Sequence, residues 1–248
     1  MLPEIRKVHQ LAKSGLLSDV SREWMKSVGP EYTYQFEWLG LPIIQYPTDI
    51  LAIQETIWRL RPNFIIETGI ARGGSVLLSS SLLALLDLED SHASNKVFTP
   101  TRKLFAIDID IREHAVKGLE SSFLKSWIHL IEGDSTDPSI ASQIGREFQK
   151  DAVGLVILDS NHTHNHVLSE LRLYSQFISI GSYFVVLDTE IEFAPAQLFK
   201  DRPWGKGNSP HSAIKQFLRE TDNFEIDDEL SSKLGITTAT DGFLKRIK

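Results

Sequence analysis

Short apolar runs, each closed by an acidic or glycine-bearing turn and followed by a helical stretch, recur along the chain from Tyr46 onward. Phe64-Ile65-Ile66 is the first such run and is too continuously apolar to face water on either side, as in a parallel sheet. Leu104-Phe105-Ala106-Ile107 follows, ending at Asp108, and then residues 127–131, ending in Glu132-Gly133-Asp134-Ser135. Two more runs, 153–158 and 183–187, end at Asp159 and Asp188. Between them the spacing predicts helices over 75–86, 112–121 and 138–149, and one after Asn161 with Val167, Leu171, Tyr174 and Phe177 on one stripe. Upstream, Thr48 caps a helix through Ile50, Ile53, Ile57 and Leu60 that Pro62 stops. Downstream, Ser209-Pro210 starts a helix to about Arg219, followed by strands at 224–226 and 242–247, the last with the alternation of an antiparallel edge. The implied fold class is α/β, a mostly parallel, doubly wound, Rossmann-like sheet with an antiparallel C-terminal strand.

The remaining segments break this rhythm. Residues 1–45 form an N-terminal helical and aromatic extension to a domain spanning 46–248. It has two short helical patterns, at 3–14 and 19–28, and an aromatic alternation, Tyr32, Tyr34, Phe36 and Trp38, read as an extended segment that packs rather than binds. The polar stretch 87–103 reads as a surface insertion, and the loop 189–210, with Pro195, Pro203, Trp204, Gly205, Gly207 and Pro210, reads as a lid.

Composition narrows the function classes. The 248 residues are 42% hydrophobic and 24% charged, enough for a core that needs neither metal nor disulfide. The absence of cysteine excludes thiol catalysis and thiolate metal sites. A net charge of −7 with no basic cluster beyond Lys245-Arg246-Ile247-Lys248 argues against a nucleic-acid partner. No membrane-length apolar run and no signal peptide are present, so a cytoplasmic location is expected. The exposed antiparallel edge and the aromatic extension are compatible with a homo-oligomer.

Acidic residues at the carboxyl ends of the strands mark where ligands bind in open α/β sheets. The first turn, Gly69-x-Ala71-x-x-Gly74-Ser75, is a small-residue turn before a helix N-terminus and suits a nucleotide-like ligand. Asp108, ending the second strand, is placed to bond ribose hydroxyls in either a nicotinamide dehydrogenase or an S-adenosylmethionine methyltransferase. Glu67 favours the methyl donor: a carboxylate there meets the ammonium of a methionine moiety but repels a pyrophosphate. Asp134 and Ser135, at the third strand end, are placed for an adenine amino group. An NAD-type oxidoreductase, and a cofactor-binding domain that has lost catalysis, stay as alternatives.

Glu67-Thr68-Gly69-x-Ala71-x-Gly73-Gly74-Ser75, Asp159-Ser160-Asn161-His162, Gly181-Ser182-Tyr183-Phe184-Val185-Val186 and Arg202-Pro203-Trp204-Gly205-x-Gly207-Asn208-x-Pro210 resemble the cephalosporin hydroxylase / rhamnosyl O-methyltransferase family over roughly residues 30–248. The resemblance implies a Rossmann-like methyltransferase fold with S-adenosylmethionine over the first strand–helix turn. It further implies O-methylation of a sugar or glycosylated small molecule, with Mg²⁺ on Asp159 and Asp188 and His162 as base. This chain departs from the metal-binding relatives in having Leu187, not an acidic residue, before Asp188, with Glu190 and Glu192 as off-motif substitutes. The i, i+2, i+4 spacing of His162, His164 and His166 does not converge on one helix face, so zinc is not expected. His164 and His166 are read as first-turn surface residues, and Asn161 or Thr163 as the helix cap. Trp204 and Arg202 either close over a polyol or anchor the loop through a buried indole.

Overall fold

The computed structural model describes residues 16–28, 30–149 and 151–248, and the helical pattern expected over residues 3–14 lies outside them. After α1 (Leu16–Val28) and a 3-10 turn (Pro30–Gln35) comes a small antiparallel hairpin of β1 (Phe36–Trp38) and β2 (Leu41–Ile43). The main sheet is built from β3 (Phe64–Thr68), β4 (Lys103–Asp108), β5 (Ile128–Glu132), β6 (Gly154–Leu158), β7 (Tyr183–Val186), β8 (Phe224–Ile226) and β9 (Phe243–Arg246). Its spatial order is β5-β4-β3-β6-β7-β9-β8, parallel from β5 to β7, with β9 antiparallel to both its neighbours. All residues of β3 and β6 are buried, as expected of apolar runs covered on both faces.

The helices α2 (Pro47–Leu60), α3 (Gly74–Ser94), α4 (Glu113–Ser121) and α8 (Asp228–Leu234) contribute to the core on one face. Those named α5 (Pro138–Gly145), α6 (His164–Tyr174) and α7 (Pro210–Glu220) contribute to the core on the other. The strand order reverses between β3 and β6, where the crossovers leave a crevice beyond the strand ends. Register then fixes who meets there: Thr68 pairs with Leu158, and Leu158 with Val186, so Gly69, Asp159 and the Leu187-Asp188 pair emerge side by side.

Five expectations need correction. Thr48 does not cap α2: the cap position is Tyr46 with Pro47 following it, and the Thr48 hydroxyl donates to the Ile236 carbonyl instead. The polar segment after residue 86 is helix as far as Ser94, because Asp87 is buried beneath it and holds the returning chain. The Asp87 carboxylate accepts from Thr101 N (2.9 Å), Arg102 Nη1 (2.6 Å) and Trp127 Nε1 (2.8 Å). Helix α5 ends at Gly145, four residues early, and Phe148 instead stacks on Phe64 with centroids 3.8 Å apart. The last strand is not the edge, since β8 pairs outside it. Tyr32 and Tyr34 lie in the 3-10 turn rather than a strand, with Tyr32 packed between Trp24 and Tyr46.

The hairpin is fastened to the domain. Trp38 Nε1 donates to Ser81 Oγ (3.2 Å), Ile43 is in the core, and a Cβ on Gly74 would overlap the Pro42 carbonyl oxygen. Replacing Asp87 by Ala leaves Arg102 Nη1 and the Trp127 N–H buried without their acceptor, so Asp87→Ala is expected to destabilise the protein by about 3 kcal/mol. Denaturant unfolding at neutral pH checks this, and a change below about 1 kcal/mol would contradict the assigned role.

Candidate active site

The turn after β3 is shaped first by the protein's own backbone. Gly69 has φ +89° and lies so close to β6 that a Cβ would overlap the Asp159 carbonyl oxygen. Ala71 is left-handed at φ 46°, and the N–H groups of Ile70 and Ala71 donate to Asp108 Oδ2 at 2.8 and 3.4 Å. Asp108 therefore braces the turn at the point where a ribose is expected. Gly73 caps α3 without any side-chain acceptor, which leaves the first-turn N–H groups facing the crevice end.

Glu67, the penultimate residue of β3, is buried just before this turn. Its Oε2 accepts from Ser79 Oγ at 2.8 Å, and its Oε1 has no hydrogen-bond partner. Burial raises its pKa to about 6, against a partial offset from the Ser75 and Ser79 hydroxyls. A buried carboxylate oxygen left without a donor is costly unless a ligand supplies one. Asp134 is exposed, its Oδ1 accepting from Thr136 N (2.9 Å) and Thr136 Oγ1 (2.7 Å), bonds that hold its pKa below the usual range. The neighbouring Ser135 hydroxyl is engaged with Glu170 and His166.

Across the crevice, one ligand atom each from Asp159, His162 and Asp188 lies within 4.8 Å of the others. His162 Nε2 is 3.2 Å from Asp188 Oδ2, and the ring meets Trp204 edge-on, centroids 4.7 Å apart at 87°. Asp159 has its pKa pushed well above the carboxylate range, first by burial and then by the charges of Asp188, Glu67 and Asp49. Asp188 adopts a left-handed backbone at φ 55°, an unfavourable conformation for a non-glycine residue. The next residues hold it there: Thr189 Oγ1 donates to Thr240 O (2.6 Å) and Glu190 N to Thr238 O (3.0 Å).

Leu187 is buried in the core, so the position before Asp188 cannot supply a ligand. Neither substitute considered from the sequence joins the cluster. Glu190 accepts from Arg22 Nε (2.7 Å) and Thr240 Oγ1 (2.6 Å), and Glu192 accepts from Gly207 N (2.9 Å) and Ser209 Oγ (2.5 Å), fastening the 189–210 loop. His164 and His166 are half-buried and hydrogen-bonded rather than free surface residues. His164 bonds Ser212 and Gln216 at 2.8 and 2.9 Å, and His166 is turned inward. Thr163 occupies the N-cap of α6 without a side-chain cap bond, and Asn161 Oδ1 just before it accepts from Thr163 N at 2.9 Å.

A cavity of about 500 Å³ opens over this cluster. Its walls include Tyr34, Gln45, Tyr46, Phe193 and Trp204, and the guanidinium of Arg202 lies 5.4 Å from the Trp204 ring. Gln45, Tyr46 and Phe193 carry no local signal of a site, and Tyr34, from the aromatic alternation expected to pack, lines the cavity instead. The lid reading of 189–210 meets a loop that contains two 3-10 turns and contributes Ala194, Pro195, Leu198 and Phe199 to the same walls.

The model of the rhamnosyl O-methyltransferase/CmcI family matches residues 30–247. The chain belongs to that family. A rhamnosyl O-methyltransferase of Mycobacterium tuberculosis (strain ATCC 25618 / H37Rv) is 32% identical over 212 residues, covering 84% of this chain and 77% of the relative. Its counterpart in Mycobacterium leprae (strain TN) is 31% identical, covering 84% and 82%. Among solved structures, an apo form of CmcI superimposes with a TM-score of 0.60 at 18% identity, over 87% of this chain and 77% of that one. The O-methyltransferase TomG from Streptomyces achromogenes, in complex with SAM, gives 0.54 at 12% identity, over 94% and 90%. These structures support the fold, and the family supports the class: this rhamnosyl O-methyltransferase/CmcI member is an S-adenosylmethionine-dependent O-methyltransferase, not a nicotinamide oxidoreductase.

Glu67 yields a stability prediction. Its folded pKa is raised, so the cost of charging it is absent below about pH 4.5, grows through about pH 6 and is complete above. Glu67→Gln is therefore expected to stabilise the ligand-free protein by up to about 2 kcal/mol at pH 8 and by nothing at pH 4.5. Unfolding curves of both proteins across this range test it, and parallel pH profiles would remove Glu67 as a source of strain.

Proposed function

We propose that this rhamnosyl O-methyltransferase/CmcI family member transfers a methyl group from S-adenosylmethionine to a hydroxyl of a sugar or glycosylated small molecule at the Asp159–His162–Asp188 cluster. The observation that carries this reading is the cluster itself, at one wall of the cavity and beside the Gly69 turn. The cofactor's methionine end fits the turn because the orphaned Glu67 Oε1 lacks the N–H donor that an ammonium provides. Asp108 and Asp134 are the acceptors offered to ribose and adenine, and Gly69, Ala71, Gly74 and Ser75 form the turn and helix start between them.

The cluster also fits a divalent cation. Asp159 and Asp188 repel one another, and a hard cation between two carboxylates removes that repulsion. Mg²⁺ held there would lower the acceptor hydroxyl's pKa and fix its orientation. Methyl transfer needs the hydroxyl oxygen in line with the carbon–sulfur bond, and it needs a place for the hydroxyl proton. His162 Nε2 faces the cluster and receives that proton; Asp188, 3.2 Å away, stabilises the resulting imidazolium. Trp204 against the ring limits its rotation and shields it from solvent.

Calorimetric titration with S-adenosylhomocysteine and with NAD⁺ tests the cofactor, and binding of the former alone is expected. With an acceptor in hand, His162→Ala is expected to lower kcat by roughly 10²- to 10⁴-fold while homocysteine nucleoside binding stays within threefold. Undiminished turnover would remove His162 as the base, and binding without turnover of any sugar acceptor would instead favour a domain that has lost catalysis.

A further inference from the structure

Helix α6 carries a polar stripe into the protein interior. His166, Glu170 and Tyr174 stand at i, i+4 and i+8, on one face, and Glu170 and Tyr174 have no exposed surface. The stripe meets two loops at once. Glu170 Oε1 accepts from Ser135 Oγ (2.6 Å), in the loop after β5, and from Ser160 Oγ (2.8 Å), the residue after Asp159. His166 Nε2 lies 3.0 Å from Ser135 Oγ and 3.2 Å from Ser160 Oγ, and Tyr174 donates to the Ser135 carbonyl at 2.7 Å. Strands β5 and β6 are separated in the sheet by β4 and β3, so no ladder hydrogen bond connects the two loops.

A purely structural role explains this poorly. Burying a carboxylate costs several kcal/mol, and an apolar residue of similar volume usually packs at least as stably. Glu170 Oε2 is also left without a partner, so the site is not optimised for stability. What the arrangement achieves is a fixed distance between the loop placed for the adenine and the peptide that carries Asp159. The same peptide runs so close to Gly69 that a Cβ there would overlap the Asp159 carbonyl oxygen and crowd Ser160 Cα.

We propose that Ser135, Ser160, His166 and Glu170 form a latch that couples seating of the cofactor's adenine to placement of Asp159 for the divalent cation, so that each ligand raises the affinity for the other. Glu170 and His166 are positioning residues in this scheme and touch neither ligand. The inference rests on the cofactor and metal reading given above. Coupling between two sites is reciprocal and commonly amounts to 5- to 150-fold in affinity.

The test is calorimetric and needs no acceptor: Mg²⁺, and Mn²⁺ as a second probe, are titrated into the full chain with and without saturating S-adenosylhomocysteine. In the unmodified protein the nucleoside is expected to tighten metal binding at least fivefold. Ser160→Ala removes one arm of the latch, and Glu170→Leu removes the shared acceptor at similar volume. Both are expected to reduce the coupling below twofold while nucleoside binding stays within about threefold. Glu170→Gln keeps an oxygen that can accept from both serines and is expected to retain most of the coupling. If Glu170→Leu does not fold, Ser160→Ala decides alone. Coupling absent from the unmodified protein, or unchanged in Ser160→Ala, overturns the latch. Failure of the unmodified protein to bind the nucleoside or the metal at all overturns the underlying reading instead.

Discussion

Carboxylates gathered at one end of the sheet set the terms for the rest of this structure. Asp188, Glu67 and Asp49 are close enough to Asp159 for their charges to raise its pKa after burial has done so, and burial raises Asp49 and Glu67 to about 6. Such a cluster is unfavourable in a ligand-free protein. It is tolerated because the surroundings over-determine it: Gly69 is pressed on the Asp159 carbonyl, and Asp188 is held in a left-handed turn by the Thr189 and Glu190 bonds to the 238–240 segment. A positively charged ligand is the natural complement of this arrangement. An ammonium, a sulfonium and a divalent cation would each meet that need, as the proposed methyl transfer requires.

The segments outside the sheet turn the charged edge into a cavity. The 3-10 turn brings Tyr34 to the wall, α1 brings Arg22, and the loop after β7 brings Phe193 and Trp204. Arg22 links two of these pieces, bonding Glu190 at 2.7 Å and lying 4.5 Å from the centroid of the Phe193 ring. Glu192 fastens the 189–210 loop through Gly207 and Ser209, at the N-terminus of α7. The added cavity walls therefore come from parts of the chain that contribute nothing to the parallel sheet, while Asp159 and Asp188 follow strand ends that the core immobilises.

Much of this was legible without coordinates, for a definite reason. Strands buried on both faces read as unbroken apolar runs, and residues at their carboxyl ends share the crevice by topology, so Glu67, Asp108, Asp159 and Asp188 could be placed together from the pattern alone. His162 followed from its motif with Asp159. Length and patterning were less informative where a single side chain redirects the backbone: Asp87 prolongs a helix into a polar stretch, and Phe148 ends one early to stack on Phe64.

Tertiary structure decided the rest, because it concerned contacts between segments far apart in sequence. His166 looked like a surface residue by its place in the first turn, yet it faces Ser135, 31 residues away. Glu190 and Glu192 looked available as ligands until Arg22, 168 residues from Glu190, and the Ser209 hydroxyl were found to occupy them. The glycines of the first turn looked like space for a ligand and are equally space for Pro42 and Asp159 of the same chain. Periodicity and motif report what each residue needs locally and which strand end it occupies. Which partner satisfies a buried polar group depends on a fold that brings distant segments within hydrogen-bonding reach, and no local pattern encodes that.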